Sequence, residues 1–140
     1  MIRRRWAFFI VLGLISWTLL GSSAMAQDVA RVSMNELKAM LDKGEAVVIV
    51  DDRPQAEYDR QHIKGAISLP WASDVSEAAK KILPNDKPII TYCDCGPGES
   101  DSADVANQLI LAGFDKVKTL ANGWTAWLEA GYPVEKGRRK

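Results

Sequence analysis

Pro88-Ile89-Ile90-Thr91-Tyr92-Cys93 is apolar at nearly every position, and it runs into a polar, glycine-rich stretch from Asp94 to Asp101. Beyond it, Ala103, Val105, Ala106, Leu109 and Ile110 recur at helical spacing until Gly113. A strand with no inside-outside alternation is buried on both faces, as in parallel sheets covered by helices. Strand, loop and helix in this order form part of a βαβ unit. Upstream, Val47-Val48-Ile49-Val50 is a second run of the same kind, stopped by Asp51-Asp52-Arg53-Pro54. Shorter strands are expected at Val29 to Val32, Ala66 to Leu69 and Val117 to Leu120. Helices are expected from Ser33 to about Leu41, where Ser33 and Glu36 have capping-box spacing, from Val75 to Leu83, and around Trp124 to Ala130. The pattern predicts an α/β fold: an open, mostly parallel five-stranded sheet with helices on both faces.

The chain has 140 residues, 47% of them hydrophobic, and its 18 basic and 18 acidic side chains cancel. This mixed composition excludes a disordered tail, a collagen-like repeat and a coiled coil, and the neutral balance gives no positive field for nucleic acid. The ends differ from the middle. Arg3-Arg4-Arg5 precede a stretch from Trp6 to Gln27 with no ionisable side chain, which leads to Ala24-Met25-Ala26. Basic start, apolar run and small-residue exit are the parts of a secretory signal. Residues 1–26 are read as a signal peptide and 27–140 as a single domain with a short basic tail, Lys136 to Lys140. Retention of the segment as an inner-membrane anchor is the alternative, since about 20 apolar residues can span a bilayer. Either way the domain is expected in the periplasm, with a membrane partner only if the segment is uncleaved. Without the three arginines, 15 basic groups face 18 acidic ones, so the remaining chain is acidic.

Cys93 and Cys95, the only cysteines, are one residue apart at the end of the central strand. A bridge between them would close a small ring and remove little loop entropy, so they are no structural framework. In open α/β sheets ligands gather at the carboxyl ends of strands, and a loop entering a helix offers unpaired N–H groups and the positive end of a dipole. That setting favours a thiolate or a bound anion at Cys93.

Several local patterns, taken in order, resemble the rhodanese domain family over nearly all of Val29 to Glu135. They are Val50-Asp51-Asp52-Arg53 with Glu57-Tyr58, then His62-Ile63-Lys64-Gly65-Ala66-Ile67, Tyr92-Cys93, Gly113-Phe114, and finally Leu120, Gly123 and Trp127. Asn122 stands where the family has a first glycine. The resemblance implies a sulfurtransferase whose cysteine takes sulfur from a donor as a persulfide and passes it to a thiol or another nucleophile. Cys93 is carried over as the nucleophile because it follows the strand without a gap; Cys95 is the alternative, having a glycine three positions on. The loop residues Asp94, Cys95, Gly96, Pro97, Gly98, Glu99 and Ser100 are then expected to bind substrate. Asp51 and Arg53 are either pocket residues or a structural ion pair, and His62 belongs to a structural turn in the family.

The active loop departs from the family pattern. It is about three residues longer if Ser102-Ala103 opens the helix, and its closing arginine is absent, with Glu99, Ser100 and Asp101 nearby. Asp94, Glu99, Asp101 and Asp104 place as many as four carboxylates where a dianion such as thiosulfate would bind, which favours a neutral or protein-borne donor. Phosphatase or arsenate-reductase chemistry is disfavoured by the missing arginine. Two non-enzymatic readings remain: a thiol-disulfide or persulfide redox module using Cys93 and Cys95, and a binding module on the same scaffold. The expected partners are a small sulfur donor or a protein thiol, with no nucleic acid, cofactor or metal. Trp71, Trp124 and Trp127 are read as packing residues.

Overall fold

Two apolar runs lie side by side at the centre of the sheet. In the computed structural model, which describes residues 28–137, β2 (Val48–Asp51) pairs in parallel with β5 (Ile89–Tyr92), placing Val48 beside Ile89 and Asp51 beside Tyr92. The segment read as an export signal and Arg138, Arg139 and Lys140 of the basic tail lie outside the described residues. The sheet continues through β6 (Val117–Leu120) to β1 (Arg31–Val32) on one side and to β4 (Ile67–Ser68) on the other. Its order is β1-β6-β5-β2-β4 with every pair parallel, and β3 (His62–Ile63) and β7 (Val134–Glu135) form a separate antiparallel pair.

Because side chains alternate across a strand, each run contributes to two cores. Val50 and Ile89 pack with Ala79 of α3 (Ser76–Ile82) and with Val105, Ala106 and Leu109 of α4 (Ser100–Leu111). Ile49, Ile90 and Tyr92 pack on the opposite face with Leu37 of α1 (Met34–Asp42) and with Trp124 and Trp127 of α5 (Gly123–Glu129). Burying side chains of this size contributes roughly 1.5–3 kcal/mol each, before the conformational entropy lost on folding. The α1 cap forms as its spacing predicts, with Ser33 Oγ accepting from the Glu36 N–H and the Glu36 carboxylate accepting from the Ser33 N–H.

The five expected strands and the four expected helices are present, with ends shifted by a few residues. The structure adds α2 (Gln55–Arg60), β3 and β7. These escape a pattern reading because α2 contains no buried residue and the two short strands, His62-Ile63 and Val134-Glu135, each hold a single aliphatic residue outside any apolar run. Helix α4 opens at Ser100, two residues before the expected start, so the loop after Cys93 is shorter than anticipated. From β2 the chain moves outward to β4, and from β5 it moves the other way to β6. The crevice between the ends of β2 and β5 is therefore a topological switch point, where α/β sheets bind ligands.

Candidate active site

The first residues past that paired edge are Asp52 and Cys93, and the Asp52 N–H extends the ladder by donating to the Tyr92 carbonyl at 3.1 Å. By alternation both side chains leave on the α3/α4 face, opposite to Asp51 and Tyr92. They line one pocket of about 410 Å³ with Arg53, Pro54, Pro70, Trp71, Asp94, Cys95 and Asp101. Cys93 is 4% exposed, whereas Cys95 is only partly buried. The two cysteines are joined by a disulfide, with their Cα atoms 5.5 Å apart.

A close backbone contact holds Cys93 from behind. Its carbonyl accepts the Trp124 N–H at 2.9 Å, and a Cβ at Gly123 would lie 2.2 Å from the same oxygen. No residue but glycine fits there without displacing the Cys93 backbone. Asn122, which replaces the first glycine of the pattern, has φ 60°, a left-handed conformation that asparagine tolerates better than most residues. The sequence pattern thus survives where backbone approach demands it and relaxes where only the dihedral does.

Asp51 and Arg53 form a buried ion pair on the far side of the sheet. Arg53 Nε and Nη2 donate to the two Asp51 carboxylate oxygens at 3.0 and 2.7 Å, and Nη2 also donates to the Gln61 carbonyl. The Tyr92 hydroxyl donates to Asp51 and accepts from the Ile63 N–H. Burial, then the Asp51 charge, hold the Tyr92 phenol above its ordinary range. The Arg53 guanidinium lies 4.1 Å from the centre of the Trp124 ring, so this pair ties the loop after β2 to α5. Arg53 also reaches the pocket wall, but its charge is already matched.

His62 stands apart from the pocket. It is buried, stacks on Tyr58 at 3.7 Å, and its Nδ1 donates to the Tyr58 carbonyl at 2.8 Å. Glu99 turns inward. Its carboxylate accepts Arg31 Nε at 2.8 Å and the Asn122 N–H at 2.9 Å, while its backbone adopts φ 46° ahead of α4. Burial opposes ionisation there, yet the hydrogen bonds from Arg31 and Asn122 hold its carboxyl below the usual range. Asp104 accepts Trp71 Nε1 and Gln108 Nε2, and Asp94 accepts the Thr125 hydroxyl. Gly96 and Pro97 border a separate shallow depression next to Thr125 and Glu129, and Ser100 is the exposed first residue of α4. Of the seven loop residues expected to bind substrate, the structure places Asp94 and Cys95 on the wall of the Cys93 pocket.

The pocket also contains residues that the sequence reading left out. Both carboxylate oxygens of Asp52 are buried without a hydrogen-bond partner. Burial, followed by the Asp51 and Asp101 charges, pushes its carboxyl up to about 9, against the opposing effect of Arg53. Asp52 is therefore a neutral acid near pH 7. An acid one step past the end of an apolar strand, in phase with Cys93, was the available signal. Trp71, expected in the core, is half exposed on the rim, and its indole N–H is held by Asp104. Among the described residues no cluster of three or more acidic, cysteine or histidine side chains is arranged to hold a metal ion.

Known proteins resemble this chain in sequence and fold. The chain is 30% identical over 111 residues to the probable adenylyltransferase/sulfurtransferase MoeZ of Mycobacterium tuberculosis, covering 79% of this chain but 28% of that protein's length. It is 36% identical over 90 residues to the thiosulfate sulfurtransferase GlpE of Coxiella burnetii, covering 63% of this chain and 77% of that one. The solution structure of the rhodanese-like domain of the Anabaena Alr3790 protein superposes with a TM-score of 0.65 at 33% identity, covering 76% of this chain and 78% of that one. With residues 33–130 matching the Rhodanese-like domain model, strand-end cysteine and closing glycine included, the chain belongs to the rhodanese-like family.

Proposed function

We propose that this chain is a sulfurtransferase of the cell envelope that accepts sulfane sulfur on Cys93 as a persulfide and passes it to a thiol or another nucleophile. The observation that carries this reading is the position of Cys93 at the switch point of the sheet, on the wall of a pocket beside the start of α4. In the first half-reaction the thiolate attacks the outer sulfur of the donor and the donor's remainder leaves with the bonding electrons. Among the described residues, neither thiosulfate's double charge nor a persulfide finds an unpaired cation on the pocket wall, since Arg53, its basic residue, is committed to Asp51. Of the four loop carboxylates, Glu99 is turned away toward Arg31, while Asp94 and Asp101 stay on the pocket wall beside Asp52. A neutral or protein-borne donor suits it better than thiosulfate.

The envelope assignment rests on residues 1–26 as an export signal, and amino-terminal sequencing of the mature protein tests it: a start at Gln27 supports it, while retained Arg3 to Arg5 favour a membrane anchor. Intact-mass measurement of reduced protein after exposure to a donor tests the chemistry. Cys95→Ser should gain one sulfur atom and Cys93→Ser none. A second reading, a thiol-disulfide module without sulfur transfer, is favoured by the Cys93–Cys95 bridge. It would be preferred if no variant gained sulfur while wild type cycled between dithiol and disulfide.

A further inference from the structure

The two cysteines form a disulfide and line the same pocket, yet persulfide transfer needs only one of them. From this juxtaposition, and resting on the sulfurtransferase reading, we propose that Cys95 is a resolving residue that reductively discharges the Cys93 persulfide. The chain then acts as a dithiol-dependent sulfane-sulfur reductase, releasing sulfide, besides transferring sulfur.

The chemistry balances without an added oxidant. When Cys93 has taken the outer sulfur, its Sγ is bonded to one terminal sulfur. The Cys95 thiolate attacks Cys93 Sγ, the Sγ–S bond breaks, and hydrosulfide leaves with the electron pair and takes its proton from solvent. A Cys93–Cys95 disulfide forms in the same step, so the cysteine pair is oxidised as the sulfane sulfur is reduced to sulfide. A reducing dithiol, either a small molecule or a protein, must then open the bridge to complete the cycle.

Burial decides which nucleophile has the advantage. Cys93 is 4% exposed, so an external thiol reaches its inner sulfur poorly, whereas Cys95 is already on the same wall. The Cα separation of 5.5 Å lies within the range that a disulfide spans, so the attack needs no distant segment to move. A tethered attack of this kind gains a large effective concentration over a thiol in solution. An external acceptor instead takes the outer sulfur, which projects further from the protein. The two routes divide at the persulfide, one transferring sulfur and the other reducing it.

The test uses fully reduced protein, wild type and Cys95→Ser, exposed in separate arms to thiosulfate and to inorganic polysulfide without an acceptor and then desalted. Sulfide release is read in the thiosulfate arm, intact mass in both. Wild type is expected to end as the disulfide, two hydrogens lighter and carrying no extra sulfur, with about one sulfide released per chain in the thiosulfate arm if that donor loads it. Cys95→Ser is expected to keep one added sulfur and to release at least about tenfold less sulfide. If wild type keeps the added sulfur as Cys95→Ser does, the resolving role is overturned and the sulfurtransferase reading stands. If neither chain gains or turns over sulfur from either donor, the underlying reading falls and the inference with it. Cys95→Ala, run in parallel, separates loss of the thiol from any effect of the serine hydroxyl.

Discussion

Asp51 and Asp52 are adjacent aspartates, both buried, yet they meet opposite circumstances. Asp51 points toward α1 and α5, where Arg53, the Tyr92 hydroxyl and the Arg53 N–H all donate to it. Asp52 points toward α3 and α4, into the Cys93 pocket, where no group donates to its carboxyl oxygens. The first is clamped by three donors; the second has none, and burial pushes its carboxyl up to about 9. One step along a strand separates a structural clamp from a chemical wall, because successive side chains face opposite layers.

The largest effect should come from breaking the partnered side. Asp51→Ala leaves the Arg53 guanidinium buried without its carboxylate, and loss of a buried ion-pair partner costs about 3–5 kcal/mol. Urea unfolding should register most of that loss; a change under about 1 kcal/mol would mean that Arg53 finds another anion or water. Asp52→Asn probes the unpartnered side and should have the opposite sign. Because the folded carboxyl titrates near 9 and an unfolded aspartate near 4, the folded chain binds more protons through that window. The Asp52 contribution is therefore fully present below about pH 4 and is lost as pH rises toward about 9. The asparagine variant should flatten this decline and be more stable than wild type by about 1–3 kcal/mol at pH 8. Equal pH slopes for the two proteins would show that Asp52 is solvated and ionised.

The smallest effect concerns the carboxylate that lies between these extremes. Glu99 is buried like Asp52 but partnered like Asp51, by Arg31 and by the Asn122 N–H. Arg31→Gln should raise the Glu99 pKa toward the ordinary carboxylate range, as followed by carboxyl-carbon NMR. Stability tied to the lowered Glu99 pKa is present at neutral pH and lost on acidification, so this variant should shed part of that acid dependence. An unchanged Glu99 titration would show that Asn122 and the turn into α4 suffice.

Much of the fold was legible because its signals are local. The runs at Val47–Val50 and Pro88–Tyr92 gave away two buried parallel strands, and Ser33 with Glu36 marked the start of a helix. Cys93 at the end of a strand was equally visible. The start of α4 was misplaced because Ser100 and Asp101 look like loop residues; Glu99 turns into the helix through a left-handed conformation that composition does not reveal. Trp124 and Trp127 pack in the core, whereas Trp71 lies at the rim, where its indole N–H donates to Asp104.

Periodicity, capping residues and the order of short patterns sufficed for the architecture, the family and the place of Cys93 at a strand end, because each depends on neighbours along the chain. The charge state of the pocket did not follow from them. Arg31 reaches Glu99 across 68 residues, and Tyr92 reaches Asp51 across 41. Which acid is paired and which is orphaned depends on strand register and on the layer each side chain enters. Coulomb and desolvation energies act through space, and that proximity exists only once the sheet has assembled.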